Sequence, residues 1–242
     1  MVHHARALLQ QVERLRGELG DYARGLKAHL RLLANTVAVH EFLPAALGPF
    51  LVAHPQLDIE LEERPSYRIV AAIAEGVAEL GIVSDAVERG SLEAFPFRHD
   101  RLVVVAPKRH PLARRREIRL AEIVHEDFIG LAEGSALQDY LGDYARREGG
   151  PLRLRVRLAS FDAICAVVAA GAGMAIVPAS AAERARASVA IARLREPWAE
   201  RRLLLVARRA AELAGPARRL LEHLSASPAP RATRKTTARS AA

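Results

Sequence analysis

The sequence predicts an α/β fold, with two interleaved, doubly wound α/β lobes around a cleft and a long helix ahead of them. Three observations predict it. Apolar runs of strand length alternate with amphipathic segments of helix length over residues 30–83. The same alternation restarts after Pro107 and continues to Leu194. Ahead of both, Leu8, Val12, Leu15, Leu19, Tyr22 and Leu26 recur at alternating four- and three-residue steps, the apolar seam of a helix that pairs with another helix.

In order, the first lobe reads as strand 30–36, helix 42–54, strand 57–62, helix 67–75 and strand 78–83. This β-α-β-α-β series implies a mostly parallel sheet with helices on both faces and right-handed crossovers. Two adjacent strands follow at 92–98 and 101–106, the second ending at Pro107. The second lobe reads as a short helix at 120–124, strand 128–131, helix 136–147, strand 152–158, helix 161–170, strand 174–177, helix 179–185 and strand 189–194. A strand at 203–207 and an amphipathic helix at 216–224 close the pattern. The strands near 103–106 and 203–207 are expected to cross between lobes, with the last helix returning to the first. The resulting division is a linker or dimerisation helix at 1–26, lobe I at 27–106 plus 206–226, lobe II at 107–205, and a disordered basic tail at 227–242.

Composition narrows the function classes. Half of the 242 residues are hydrophobic, enough for a good core. One cysteine, Cys165, excludes an internal disulfide and a four-cysteine zinc site. The first residues lack a secretory pattern, which together with the cysteine count predicts a cytoplasmic protein. Residues 163–182 are uncharged and long enough to span a bilayer, but Gly171, Gly173 and Pro178 divide them into a buried helix, a stop and a short strand, so no membrane partner is expected. The net charge of +8 is uneven. Arg231, Arg234, Lys235 and Arg239 lie in the tail, where they touch polyanions only weakly and without sequence preference. The body is nearly balanced.

In a doubly wound sheet, ligands collect beyond the carboxyl ends of strands, where helices begin with unpaired N–H groups. Those junctions here carry Asn35 and Thr36 after the first strand, Ser66 before the second helix, Ser84 at the end of the third strand, Ser135 after Gly134, and Ser160 before Phe161. Each is a helix cap before it is a ligand contact. Together they form a ligand-binding set suited to a carboxylate or other small anion; Phe161 is a candidate wall of the cleft, although an aromatic that opens a helix more often packs into the core. Asp162 could also meet a ligand, although an acid in a first helical turn already answers the helix dipole.

No enzyme arrangement emerges. Ser135, in Glu-Gly-Ser-Ala-Leu, lacks the second glycine of a nucleophile elbow. Residues 171–173 lack the third glycine of a dinucleotide fingerprint, and His125 has no partner at zincin spacing. No catalytic residue, cofactor or metal is expected. Arg153, Arg155 and Arg157 share one strand face, best read as a solvated edge.

Several segments, taken in order, resemble the LysR-type transcriptional regulators over residues 1–224. They are LRLLANT at 30–36, EFLP at 41–44, AEGVAELGIV at 74–83, DRLVVVAPKRHPLA at 100–113, DFIGLAEGSALQ at 127–138, SFDAICAVVAAGAGMAIVPASAA at 160–182 and RRLLLVARR at 201–209. The resemblance implies a type-2 periplasmic-binding-protein fold that senses a small-molecule effector in the inter-lobe cleft, in a homodimer or tetramer. It also implies a winged helix-turn-helix reader ahead of the linker helix, which this sequence does not contain. Promoter DNA is therefore expected as a partner only where such a reader is attached. A stand-alone solute-binding protein of the same fold is the alternative. Glu79 and Gly81 depart from the family's usual Asp and small alkyl residue, with little effect expected on the fold.

Overall fold

A computed structural model describes residues 28–226. The dimerisation seam expected at Leu8, Val12, Leu15, Leu19, Tyr22 and Leu26, and the tail expected at 227–242, lie outside the described residues.

The first lobe is built on β1 (Ala28–Ala34), β2 (Leu57–Glu63) and β3 (Leu80–Ser84), with β1 central and parallel to both neighbours. Leu32 and Leu33 are both fully buried because helices cover both faces of this sheet. On one face, Leu30, Leu32 and Ala34 pack with Leu43 and Phe50 of α1 (Leu43–Ala53) and with Leu220 and Leu224 of α6 (Gly215–Ala226). On the other, Leu33 and Val83 pack with Ile69, Ala72 and Ile73 of α2 (Ser66–Ala74). Full burial of Ile69 and Ile73 stabilises this face by about 1.5–3 kcal/mol per side chain. Of the two departures, Glu79 accepts the Arg31 backbone N–H at 2.9 Å, and Gly81 lies under Ile69.

The sequence suggested two strands at 92–98 and 101–106, but the chain forms one, β4 (Glu93–Pro107). Its polar middle, read as a break, is buried: Arg98 and Asp100 are each more than nine-tenths covered. Asp100 bonds Arg201 on β10 (Glu200–Ala207), the antiparallel neighbour of β4. The first half of β4 pairs with β10, and the second, from Leu102, pairs with β8 (Ala175–Pro178) and β9 (Val189–Leu194). β10 in turn pairs with β3 from Leu203. On both strands the pairing partner changes a few residues before Ala106 and Val206, where the sequence placed the lobe boundaries. Over residues 30–83 the expected parallel sheet is present, with β1 parallel to both neighbours; the later strands differ. Strands that pass from lobe to lobe without a crossover helix run beside each other antiparallel, so β10 is antiparallel to β3 and β4, and β8 and β9 are antiparallel to β4.

The second lobe adds β5 (Glu117–Ile118), parallel to β9, and a parallel pair, β6 (Asp127–Leu131) with β7 (Arg153–Leu158). It is covered by α3 (Ala136–Glu148), α4 (Phe161–Ala169) and the short α5 (Ala179–Arg184). The uncharged stretch divides into α4 and β8, and no helix among the described residues is long and apolar enough to cross a membrane.

Candidate functional site

β1 ends at Ala34, and the chain turns at once into a helix. Asn35 caps that turn, its Oδ1 accepting the Ala38 N–H at 3.0 Å. Its amide nitrogen has no partner among the described residues. The helix then widens over Ala38–Phe42, a π-type turn closed by the Leu43 N–H donating to the Ala38 carbonyl.

Thr36 donates its hydroxyl proton to Glu63 Oε1 at 2.6 Å. A hydroxyl has one proton, so in the 3.2 Å bond between Thr36 and Ser135 it is Ser135 that donates. The Leu137 N–H, at 3.4 Å, also points to the Thr36 oxygen. Ser135 follows Gly134, whose φ of +82° makes the turn, and its oxygen caps α3 through the Gln138 N–H. These two hydroxyls, both among the expected ligand contacts, are bonded directly and join lobe I to lobe II.

Beside this contact a cavity of about 280 Å³ opens between the lobes. Asn35, Thr36, Ser66 and Ser84 line its lobe I side. The Ser66 oxygen accepts the Ser84 N–H at 3.1 Å and the Ser84 oxygen accepts the Ala86 N–H at 3.3 Å, which leaves both hydroxyl protons free. The lobe II side is α3, whose Tyr140, Tyr144 and Arg147 face the cavity together with Arg201 from β10. Asp139 and Asp143 share that wall, Asp143 paired with Arg146.

Ser160 and Phe161 are not part of this cavity. Ser160 caps α4 through the Ala163 N–H at 3.3 Å. Phe161 is buried with its ring edge-on to His40 at 6.0 Å, because the π-type turn presses against the start of α4. Asp162 meets Arg184 at 2.9 Å. Arg184 also grips Glu41 with two bonds, at 2.7 and 3.0 Å, and the Ser180 hydroxyl donates to the same carboxylate.

The electrostatics follow from these contacts. Hydrogen bonding to Glu63 raises His40 above the ordinary histidine value despite partial burial. Burial pushes the Glu63 carboxyl up, but bonds from His40 and Thr36 outweigh it and hold the carboxyl below its usual range. The bonds from Glu41 hold the Arg184 guanidinium above its ordinary value. Burial raises the Asp100 carboxyl, against the pull of Arg201. Burial also pushes the Cys165 thiol up to about 11, as befits a core residue rather than a nucleophile.

Sequence reasoning missed the aromatic side of the cavity. Tyr140 and Tyr144 stand four residues apart on one helix face, a signal that was available. Tyr67, at the start of α2, lines the cavity opposite them and is 63% exposed. A second hollow, of about 220 Å³ near β5 and β9, is lined by charges that answer one another, Arg101 with Glu200 and Arg195 with Glu117.

The family model described as the LysR substrate binding domain matches residues 23–229. The chain belongs to this family. Two curated relatives of this LysR domain carry the names of transcriptional regulators. A "Probable hydrogen peroxide-inducible genes activator" from Mycobacterium avium is 26% identical over 211 residues, covering 86% of this chain and 68% of the relative. The RuBisCO operon transcriptional regulator of Allochromatium vinosum is 25% identical over 175 residues, or 72% of this chain and 58% of that protein. The chain thus spans 68% and 58% of the lengths of these two relatives. Among solved structures, the CcmR regulatory domain from Synechocystis in complex with 2-PG is 28% identical, with a TM-score of 0.66 over 82% of this chain and 96% of that one. The fold is that of LysR effector-binding domains, the type-2 periplasmic-binding-protein architecture.

Proposed function

We propose that this LysR domain senses a small anion, held in the cavity between its lobes, and that the binding controls transcription through a DNA-reading domain. The observation that carries this reading is the convergence of free donors on one wall: the Asn35 amide and the Ser66 hydroxyl at helix starts, and the Ser84 hydroxyl at the end of β3. The similar CcmR domain, held with 2-PG, supports a small molecule as the ligand. Thr36 and Ser135 serve as the contact that closes the lobes rather than as ligand contacts. A ligand shifts that closure only by binding the open and closed arrangements differently. The signal passes to paired chains through the seam at Leu8 to Leu26, in the cytoplasm, and reaches promoter DNA only where a reader domain is attached.

The test is calorimetric titration with a panel of small carboxylates and phosphates, together with their neutral amides. An anion should bind, and Ser66→Ala and Ser84→Ala should each weaken it by roughly 2- to 10-fold while the variants remain folded. Binding of the neutral amides as tightly as the anions would reject the anionic reading. Undiminished affinity in both serine variants would reject this cavity.

A further inference from the structure

We propose that the effector of this cavity carries a flat unsaturated ring, which lies against Tyr140 and Tyr144 of lobe II and is covered by Tyr67 of lobe I. This inference rests on the anion-binding reading above and adds the chemistry of the ligand's other end.

The cavity has two chemically different sides. The polar side offers the donors of Asn35, Ser66 and Ser84. The other is an array of mutually packed aromatic rings. The Tyr144 and Trp198 rings are stacked, with centroids 4.4 Å apart and planes 18° apart. Tyr140 stands edge-on to both, at 4.9 and 5.9 Å, and its hydroxyl donates to the Trp198 carbonyl at 2.9 Å, which fixes its orientation. Of the three rings, only the tyrosines line the cavity; Trp198 backs them.

Two cations frame these rings. The Arg147 guanidinium lies 5.3 Å from the Tyr144 centroid and has no carboxylate partner among the described residues. The Arg201 guanidinium lies 5.3 Å from the Tyr140 centroid; its residue is more than nine-tenths buried, and its Nε is a donor without a partner. Across the gap, Tyr67 is the large aromatic that lobe I leaves exposed at the cavity rim.

A wall of mutually packed rings, an exposed aromatic opposite it and a buried guanidinium that is held by Asp100 but keeps one unpaired donor beside it match a planar, electron-rich acid. A ring placed there stacks on one wall and is capped by the other, an arrangement that favours aromatic over saturated surface of equal size. A flexible aliphatic acid would fill the volume without that gain and would lose rotamer freedom on entering.

Trp198 is the sole tryptophan of the chain, so its emission reports on this wall directly. The experiment titrates the whole chain with benzoate and with cyclohexanecarboxylate, a saturated acid of similar size, by calorimetry and by Trp198 fluorescence, with inorganic phosphate as a third probe. Benzoate should bind roughly 3- to 10-fold tighter than cyclohexanecarboxylate and change the Trp198 emission. Tyr144→Leu should abolish the preference. Should that variant fail to fold, Tyr67→Ala, on the exposed rim, should reduce the preference at unchanged melting temperature. Equal affinities for the two acids, or a preference that survives both substitutions, would overturn the proposal. Binding of phosphate without either acid would reject the ring and leave the anion reading standing. If none of the three probes binds, both readings fail.

Discussion

Glu41 and Arg184 lie 143 residues apart, one in each lobe, and their separation offers a direct measurement of what holds the lobes together. The Glu41 side chain is 1% exposed and accepts two bonds from Arg184 and one from Ser180. Hydrogen bonds to a charged group contribute about 1.5–3 kcal/mol each. Two effects reduce that figure here. Arg184 is half exposed, so solvent screens its attraction, and Glu41 was desolvated when the lobes closed. Arg184 also retains Asp162 when Glu41 is changed. The expected coupling is therefore about 1–2 kcal/mol, below a simple sum of bonds. A double-mutant cycle of Glu41→Gln and Arg184→Met, followed by urea denaturation, isolates it. Glu41→Gln preserves the shape of the side chain, so lost packing will not obscure the result. The same cycle in high salt should retain most of the coupling, because the carboxylate is buried. A coupling below about 0.5 kcal/mol would mean that the contact is incidental and that Thr36–Ser135 and His40–Phe161 hold the lobes without it.

The same interface should respond to pH. His40 is raised in the folded state and faces Glu63 and Glu41, so its contribution to stability is fully present below the ordinary histidine value of about 6.5 and is lost as pH rises through its folded value. The melting temperature should therefore fall as the pH passes upward through the neutral range; His40→Gln should flatten that slope, and an equally steep slope in the variant would assign it to another group. Gly81→Val should destabilise lobe I by about 1–3 kcal/mol, since a Cβ there would stand 2.5 Å from Ile69 Cγ2 and 3.0 Å from Val206 Cγ2. An unchanged melting temperature in Gly81→Val would show that α2 moves away from the sheet at no cost.

What the sequence revealed was local. The strands over Leu30, Leu32 and Leu33 and the helix over Ile69 and Ile73 could be read because burial on both sheet faces leaves unbroken apolar runs, and a one-sided helix leaves a stripe. The break wrongly placed in β4 has a non-local cause: Arg98 and Asp100 are polar in the sequence, yet Asp100 is answered by Arg201, 101 residues away. Site residues divide in the same way. Asn35, Ser66 and Ser84 were legible because they stand at strand ends, where topology alone directs them to one place. Ser160 shares that local pattern, but its helix packs beneath the π-type turn and not beside the cavity. Tyr140 and Trp198 are 58 residues apart, and nothing near either residue in the sequence announces the other.

The π-type turn explains how one short segment reaches so many partners. Thr36 meets Ser135, His40 meets Phe161, and Glu41 meets Ser180 and Arg184, all across the lobe boundary. In an α-helix, with 3.6 residues per turn, a residue five positions on lies about 140° around the axis. Glu41 would then face away from the side that Thr36 presents. The bond from Leu43 to Ala38 spans five residues, which adds to the count per turn and swings Glu41 back toward the face of Thr36, with His40 on its other flank. The widened turn is thus the geometric condition for bringing a hydroxyl, an imidazole and a carboxylate to one face within six residues. The residue before them, Asn35, stands just past the end of β1 and lines the cavity, so that a ligand there touches the same segment that joins the lobes.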